Sequence, residues 1–278
     1  MLALKLLKVF SKLISYGHYG FNESMLALCS QIACDDKTKT GVYLKLITKL
    51  DGQVLSETRD IFRLKVKGLI WNVRKIIYTN FKFGVLLDLI GEPYQYWMWF
   101  NRYIDNAETF IDVGAYIGGY SVRALRKNVD VYAIEANPEN YELLIKNLKM
   151  NCGDKSVFSY NIAAGSRRVR KPLYMGASTD RFLTSSLLGK GDPVGIVEVY
   201  PLDDLLVSRD LKKPIFVKID VEGVESDVIK GSKRILAETN YVMVEATMKN
   251  MLFVDKTLNC LNLKKVDSYR CYSLYVKQ

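Results

Sequence analysis

The sequence contains few of the residues on which several common chemistries depend. His18 is the single histidine among 278 residues, which excludes most zinc and iron sites and nearly all Ser-His-Asp or Cys-His catalysis. The 5 cysteines are odd in number and form no Cys-x-x-Cys pair, so neither a disulfide framework nor a thiolate zinc site is predicted. This cysteine usage favours a reducing, cytoplasmic setting.

The sequence also lacks a long uncharged apolar run. No segment reaches the roughly 18 residues of a membrane-spanning helix, and lysines interrupt every apolar stretch that could form the core of a signal peptide. The segment MLALKLLKVFSKLI at residues 1–14 places Lys5, Lys8 and Lys12 among leucines, which is typical of an amphipathic helix. This helix is expected either to dock on its own protein or to make a peripheral contact with a membrane or a partner.

A concentrated block of positive charge is missing as well, although the net charge is +10. The lysines and arginines are spread along the chain, so the charge is compatible with an anionic substrate or other anionic partner and gives little support to nucleic-acid binding. The densest basic group lies where a turn or hairpin is predicted. It is either a solvated hairpin or a binding site for an anionic substrate. Its members are Arg167, Arg168, Arg170 and Lys171.

The first part of the chain has the pattern of antiparallel strands. Leu64 and Val66 alternate with basic residues, and Asp51-Gly52 is a tight-turn signal. The aromatic-rich segment GEPYQYWMWFNRYI then predicts a buried helix that bridges two parts. Two domains are predicted: an N-terminal extension at residues 1–82 and a main domain at residues 83–278. The extension contains the amphipathic helix and a β-hairpin and is expected to act as a lid or substrate region.

After residue 107 strands and helices alternate, which predicts an α/β fold with a mostly parallel sheet and helices on both faces. Asn137 and Pro138 supply the cap and the first residue of one helix. The predicted strands are TFIDV, VDVYAIEA, SVFSYNIAA, PIFVKID and YVMVEAT, with RKPLYMG and GIVEVYPL as further extended pieces. The predicted helices are GGYSVRALRK, PENYELLIKNLKMN and VESDVIKGSKRIL, and LKKVDSYRCYSLYVKQ is a closing hairpin.

The segment FIDVGAYIGGYSV, residues 110–122, carries an acid at Asp112 and then turns through glycines. A dinucleotide-binding loop needs glycine where Tyr116 stands, and a P-loop needs a Gly-Lys-Ser/Thr that this loop lacks. The ligand is therefore expected to carry no polyphosphate here. Glu135 ends the next strand, where an acid can accept both hydroxyls of a ribose. A phosphate-free nucleoside with a cationic, amino-acid end, as in S-adenosylmethionine, matches such an acidic site.

Several blocks of the sequence, in order, resemble one family. They are FIDVGAYIGGYSV, VYAIEANPENYELLIKNL, NIAAG, YPLDDLL, VKIDVEGVESDVIKGSKRIL and VMVEAT. Over about residues 85 to 275 they resemble the FkbM family of S-adenosylmethionine-dependent methyltransferases. The resemblance implies the class I, Rossmann-like methyltransferase fold, with a seven-stranded sheet whose seventh strand is antiparallel. It also implies O-methylation of a hydroxyl or carboxyl on a small molecule, a sugar or a lipid-linked acceptor.

The resemblance further implies roles for individual residues. Glu92 corresponds to an acid that commonly precedes the cofactor loop, and Tyr116 stands where the family usually has asparagine. Glu135 would hold the ribose, while Asp220 and Glu222 would line the floor of the pocket. The predicted cofactor-binding residues are Glu92, Asp112, Gly114, Ala115, Tyr116, Gly118, Glu135 and Asn137.

Methyl transfer to a hydroxyl requires alignment of the reactants and removal of the hydroxyl proton. Three carboxylates at or beside the ends of predicted strands are candidate bases: Asp220, Glu222 and Glu245. Lys218 shares one strand face with Asp220 and would keep that carboxylate charged. The predicted catalytic residues are therefore Asp220, Glu222 and Lys218, with Asp220 as the leading base, and no metal ion is expected.

Two other functions remain open at this point. A binding or assembly protein could retain the fold without catalysis and use the N-terminal extension as its working surface. A methyltransferase acting on RNA would agree with the net charge, although no Asn-Pro-Pro-Tyr motif or separate RNA-binding module is visible. The sequence identifies neither the acceptor nor the oligomeric state.

Overall fold

The structure is a computed structural model that describes residues 53–58, 61–66, 68–74, 95–152, 156–175, 185–189 and 192–278. The chain divides into two compact units, Met1–Trp97 and Met98–Gln278. Several features named above lie outside the described residues: the predicted helix at residues 1–14, His18, the Asp51-Gly52 turn and Glu92.

The described part of the first unit is an antiparallel sheet of three strands in chain order, β1 (Gln53–Glu57), β2 (Ile61–Val66) and β3 (Leu69–Arg74). In β2 the side chains of Leu64 and Val66 are buried, while those of Arg63 and Lys65 are exposed. Successive side chains of a strand point to opposite faces, so this burial follows the period-two sequence pattern. The predicted antiparallel strands are confirmed here.

The second unit contains the remaining strands. In chain order they are β4 (Thr109–Val113), β5 (Asp130–Ile134), β6 (Val157–Tyr160), β7 (Ala163–Ala164), β8 (Val169–Met175), β9 (Ser185–Ser186), β10 (Asp192–Tyr200), β11 (Ile215–Ile219), β12 (Tyr241–Glu245), β13 (Leu263–Tyr269) and β14 (Tyr272–Lys277).

Seven of these strands form one sheet in the order β13-β14-β12-β11-β4-β5-β6. The strands from β12 to β6 pair in parallel, and β14 is antiparallel to both of its neighbours. Every residue of β4, β5 and β11 is buried, which explains why their sequences are mostly apolar. The predicted fold class, a mostly parallel seven-stranded sheet with an antiparallel seventh strand, is confirmed.

The helices of the described residues are α1 (Gln95–Ile104), α2 (Gly119–Arg126), α3 (Pro138–Asn151), α4 (Leu202–Leu205), α5 (Glu225–Lys230), α6 (Lys233–Glu238) and α7 (Met248–Cys260). The predicted cap of α3 is confirmed, because the Asn137 side-chain oxygen accepts from the backbone N–H groups of Glu139 and Asn140 at 2.9 and 3.4 Å. Within the described residues, each helix is too short or too polar to cross a bilayer.

One predicted helix is split in two. The segment VESDVIKGSKRIL forms α5 and α6, and the chain leaves helical geometry at Gly231, with φ −89° and ψ 9°. A Cβ on Gly231 would lie 1.9 Å from the carbonyl oxygen of Gly165. Two backbone segments therefore touch at this glycine, and such a long-range contact leaves no trace in the helical sequence pattern.

Two further elements differ from the prediction. The strand expected over SVFSYNIAA ends at Tyr160, and the two residues of β7 pair with β10 instead. Helix α7 was missing from the prediction. Its buried residues are Val254 and Leu258, whereas Met248 and Leu252 are 94% and 81% exposed, so its apolar residues do not form the single stripe that marks a helix in sequence.

A smaller sheet has the strand order β7-β10-β8-β9. Its edge strand β7 follows β6 directly in the chain. Strands β8 and β10 pair antiparallel along most of their length, which confirms the two extended pieces predicted from sequence. The densest basic group begins in the turn at residues 166–168 and continues into β8.

Aromatic side chains fill the core of the second unit beneath the centre of its sheet. The rings of Phe100, Phe110 and Phe216 are mutually close, with centroids 5.4 to 6.0 Å apart, and all three are fully buried. The indole of Trp99 donates to Asp267 at 2.9 Å. Helix α1 is thereby fixed both to the central strands and to β13.

Candidate active site

The loop between β4 and α2 has a tight, partly left-handed conformation. Gly114 and Tyr116 have φ of 79° and 53°, a region that glycine tolerates and other residues seldom adopt. The N–H groups of Gly114 and Ala115 both lie 2.9 Å from the Ile134 carbonyl at the end of β5. A Cβ on Gly114 would lie 1.7 Å from the Asp220 carbonyl oxygen. The loop therefore packs in close backbone contact with the ends of β5 and β11.

Glu135 fastens this loop to the start of α3. Its carboxylate accepts from the backbone N–H of Tyr116 and from that of Asn137, each at 2.8 Å. Burial raises the pKa of Glu135, and the two backbone hydrogen bonds partly oppose that rise. The Asn140 side chain is a third donor to this carboxylate. Because a carboxylate has about four acceptor positions, some capacity for ligand hydroxyls remains.

Asp112 lies beneath the loop. Its side chain is fully buried and accepts from the Ser121 hydroxyl at 2.7 Å, and its second oxygen is 3.2 Å from the Lys218 ammonium. Lys218 also donates to the Gly114 carbonyl at 2.9 Å. Asp112 therefore helps to position Ser121 and the Lys218 ammonium, and Lys218 in turn holds the loop at Gly114.

Lys218 is a buried cation at the centre of the site. Its ammonium lies between the carboxylates of Asp112 and Asp220, at 3.2 and 3.5 Å, and its side chain is 3% exposed. Burial opposes the charge, but the two carboxylates outweigh that effect and the pKa of Lys218 is raised. The residue stays protonated and links the glycine loop to Asp220.

A pair of carboxylates lies at the adjacent ends of β11 and β12. The Tyr272 hydroxyl is 2.8 Å from Glu245 and 3.3 Å from Asp220, and the Cys271 thiol donates to Glu245 at 2.9 Å. Burial, together with the charge and hydrogen bond of Asp220, raises the pKa of Glu245 to about 8. A carboxyl group whose pKa lies this close to neutrality can exchange a proton there, which general acid–base catalysis requires.

Glu222 lies on the turn that follows β11. The strand ends at Ile219, and Glu222 has φ 54°, so the backbone has left the strand before it reaches this residue. Partial desolvation of the carboxyl group by neighbouring atoms raises the pKa of Glu222 to about 7, and the negative charges of Asp220 and Glu225 add to the rise. The residue is exposed, so solvent weakens this effect.

The structure brings most of the predicted site residues to one edge of the sheet. Asn137 is an exception in role, because its fully buried side chain caps α3. Three polar residues of the site were absent from the sequence prediction: Ser121 in α2, and Cys271 and Tyr272 where β14 begins. The Arg-Cys-Tyr turn between β13 and β14 was the available signal, because it returns to the edge where β12 ends.

No group of three or more His, Cys, Asp and Glu side chains within the described part of the chain is placed to hold a metal ion. The carboxylates of Asp220 and Glu245 instead have protein hydrogen-bond donors between and beside them.

Comparison with known proteins identifies the family. Residues 112–264 match the family model described as "Methyltransferase FkbM domain". The chain is 29% identical over 136 residues to "Hexuronic acid methyltransferase AglP" of Haloferax volcanii, which covers 48% of this chain and 54% of that protein. It is 41% identical over 54 residues to "tRNA (guanine(37)-N(1))-methyltransferase" of Xenopus tropicalis, which covers 19% of this chain and 11% of that protein. The chain thus spans about half the length of the first relative and about a tenth of the second.

Solved structures of similar proteins include a SAM-dependent methyltransferase from Agrobacterium tumefaciens. It has 8% identity and a TM-score of 0.43 over 81% of this chain and 72% of that chain. A second is precorrin-6y C5,15-methyltransferase from Geobacter metallireducens, with 14% identity and a TM-score of 0.37 over 62% of this chain and 81% of that chain.

The matched region begins at Asp112 in β4 and ends in β13, so it includes the glycine loop, Glu135, Lys218 and the Asp220–Glu245 pair. It covers more than half of the chain. The chain therefore belongs to the FkbM family of S-adenosylmethionine-dependent methyltransferases.

Proposed function

We propose that this enzyme transfers a methyl group from S-adenosylmethionine to a hydroxyl of a sugar acceptor, and that the Asp220–Glu245 pair receives the hydroxyl proton. The observation that carries the proposal is the position of this pair directly beside the glycine loop. The Gly114 backbone approaches Asp220 so closely that a single added carbon would collide with its carbonyl oxygen. A methyl donor held by the loop and an acceptor held by the pair would therefore be neighbours.

The residues of the loop suit S-adenosylmethionine. Glu135 has acceptor capacity for ribose hydroxyls, and Gly114 allows the backbone a close approach that any side chain would prevent. When bound, this cofactor supplies a methyl carbon activated by a sulfonium. The carboxylates of Glu135 and Asp220 provide the negative charge that a cationic ligand favours.

The protonation chemistry of the site suits an oxygen acceptor. A sugar hydroxyl must lose its proton as the new oxygen–carbon bond forms, so a base is required. Asp220 has 22% of its side chain exposed, and we assign it the contact with the acceptor. Glu245 shares the proton with Asp220, and the Tyr272 hydroxyl fixes the orientation of both carboxylates.

Lys218 acts as a positioning residue in this scheme. Because its ammonium contacts both Asp220 and the Gly114 carbonyl, it keeps the base and the cofactor loop at a fixed separation. Its raised pKa makes it a permanent cation, so it offsets the charge of the two aspartates.

The proposed acceptor class is supported by the similarity to the hexuronic acid methyltransferase, at 29% identity over about half of each protein. The similarity to the tRNA methyltransferase covers only 19% of this chain and 11% of that protein. We therefore favour a sugar over an RNA.

Release of S-adenosylhomocysteine from purified protein tests the proposal. The acceptor panel contains glucose, glucuronate, oligosaccharides that end in either sugar, and total tRNA, with a Glu245→Gln variant assayed in parallel. We expect turnover with a sugar acceptor and a loss of turnover in the variant. Turnover with tRNA alone, or equal turnover by the variant, would contradict the proposal.

A further inference from the structure

A cleft of about 250 Å³ opens between the smaller sheet and the turn after β11. Its walls include the Ser166–Arg167 turn, Lys171 of β8, and Val224 and Asp227 on the other side. The cleft is distinct from the glycine loop and from the Asp220–Glu245 pair, because none of their residues lines it.

The cleft nevertheless adjoins the proposed active site. The Ser186 hydroxyl donates to the Glu222 carbonyl at 2.9 Å. Leu188 packs closely against Gly223, because a Cβ added at that glycine would lie 2.7 Å from a side-chain carbon of Leu188. Leu187, between these two contacts, lines the cleft together with Val224. Val224 follows Asp220 by four residues, so the two Cα atoms are at most about 14 Å apart.

The structure separates the basic group of β8 into residues with different environments. Arg168 is committed to the fold, since its guanidinium is 3.1 Å from Asp204 and lies over the Tyr200 ring at 5.2 Å. Arg170 lies opposite Glu198 in the β8–β10 ladder. Because side chains alternate along a strand, Arg170 is on the face opposite to the cleft-lining Lys171.

Arg167 and Lys171 are the two members of the group that line the cleft. In the part of the chain that the structure describes, neither side chain forms a hydrogen bond or an ion pair. The acid in the opposite wall, Asp227, is 3.2 Å from the Lys230 ammonium, which offsets its charge. The cleft is therefore net positive, and the Ser166 hydroxyl adds a neutral donor to its wall.

From this arrangement we infer that the cleft is an anion subsite, in which Arg167 and Lys171 bind a carboxylate or a phosphate on the acceptor. This inference rests on the proposed function for the identity of the ligand as an acceptor sugar. Arginine and lysine form short, charge-assisted hydrogen bonds with both kinds of anion. An acceptor that is anchored here would extend past Glu222 towards Asp220, so the subsite selects acidic sugars over neutral ones.

Direct binding tests the inference without reference to turnover. Nuclear magnetic resonance titrations of the full chain use three probes that share a sugar ring: glucuronate, glucose 6-phosphate and glucose. We expect saturable binding of at least one anionic probe, weaker binding of glucose, and a loss of about tenfold or more in the Arg167→Gln/Lys171→Gln double variant. Arg170→Gln is the matched control, because it removes a charge from the same strand on the opposite face, and it should bind as the wild type does.

The two anionic probes distinguish the sources of the charge. Preference for glucuronate assigns the subsite to a carboxylate, and preference for glucose 6-phosphate assigns it to a phosphate. The inference is overturned if the wild type binds neither anion, or if the double variant binds them as tightly as the wild type. If the double variant binds normally while the wild type methylates a sugar, the subsite is wrong and the proposed function stands.

Turnover gives a second readout if a sugar acceptor is methylated. The double variant should raise KM for an acidic acceptor by about tenfold or more and leave KM for its neutral counterpart unchanged. Equal effects on acidic and neutral acceptors would contradict a role in anion recognition.

Discussion

Lys218 is the residue on which the electrostatics of the site depend most. It is buried between Asp112, whose side chain is fully buried, and Asp220. Removal of one partner from a buried ion pair leaves an uncompensated charge, which costs about 3–5 kcal/mol. We therefore expect Lys218→Met to lower the free energy of unfolding in urea by about that amount.

Two further variants separate this effect from simple loss of a lysine. Lys127→Met breaks an exposed pair with Asp105, in which both side chains are about half exposed, and should change stability by less than about 1 kcal/mol. Lys218→Met combined with Asp112→Asn leaves a smaller buried charge and should recover part of the loss. An effect of Lys218→Met as small as that of Lys127→Met would show that the buried pair contributes little.

Glu135 is the residue for which we expect the clearest effect on cofactor binding. A glutamine at this position keeps the shape but turns an N–H₂ group towards the N–H of Tyr116 or of Asn137 and removes the charge. We predict that Glu135→Gln weakens binding of S-adenosylmethionine by about ten- to a hundredfold in calorimetry. Asp203→Asn is a matched control, because Asp203 also accepts from two backbone N–H groups, those of Arg234 and Ile235. If both variants bind the cofactor equally well, Glu135 is only structural.

The positions of some of these residues in the site can be predicted from the sequence, whereas others cannot, and the reason is physical. Glu135 and Asp220 each follow a strand end, so their position at the edge of the sheet can be predicted from the strand pattern. Sequence could pair Lys218 with Asp220 through strand periodicity. The contact of Lys218 with Asp112 crosses between neighbouring strands, and that pairing requires knowledge of the strand order.

Among the structural elements, the glycine loop is the one whose backbone geometry the site requires. Gly114 has a left-handed φ of 79°, and a Cβ there would lie 1.7 Å from the Asp220 carbonyl oxygen. Gly114→Ala should therefore combine backbone strain with a collision and lower stability by about 2–5 kcal/mol. It should also displace the loop from Asp220 and weaken cofactor binding, measured by calorimetry on protein that circular dichroism shows to be folded.

Gly189 supplies the control for this prediction. Its φ is 74°, yet the nearest atom to an added Cβ, in Tyr174, is 3.9 Å away. Gly189→Ala therefore carries the backbone strain without the collision, at about 1–2 kcal/mol, and should leave cofactor affinity unchanged. Equal losses in the two variants would mean that the close approach at Gly114 has no importance.

Element boundaries show where local sequence stops being informative. The strands β4, β5, β11 and β12 were predicted because their apolar runs are flanked by turn residues. The break between α5 and α6 depends on the contact of Gly231 with the Gly165 carbonyl, which only the tertiary fold creates. Helix α7 buries Val254 and Leu258 but leaves the apolar Met248 and Leu252 exposed, so its apolar residues are not confined to one stripe in the sequence.

At the scale of the whole molecule, the carboxylate pair couples stability to pH. The pKa of Glu245 is raised from an ordinary value of 4.5 to about 8, so the folded state holds a proton that the unfolded chain releases. Its contribution to stability is complete below pH 4.5 and falls as pH rises towards 8, with a slope of at most about 1.4 kcal/mol per pH unit. Glu245→Gln removes this dependence.

Urea unfolding of both proteins between pH 5 and pH 9 measures the effect. We expect the wild type to lose stability relative to Glu245→Gln as pH rises, and the difference to level off above pH 8. Glu222, whose pKa is raised in the same direction, is present in both proteins and largely cancels. A difference that is constant over this range would contradict the assignment of a shared proton to the pair.

For the protein as a whole, we propose methyl transfer to a sugar hydroxyl with Asp220 as the base. The most direct test combines ¹³C-methyl-labelled S-adenosylmethionine with the sugar acceptor and locates the labelled carbon by nuclear magnetic resonance, for wild type and for Asp220→Asn. We predict a methyl group on a sugar oxygen, and turnover by Asp220→Asn that is lower by about 10²- to 10⁴-fold. Cofactor affinity of the variant should stay within about tenfold of the wild type. A methyl group on any atom other than a sugar oxygen, or near wild-type turnover by Asp220→Asn, would contradict this proposal.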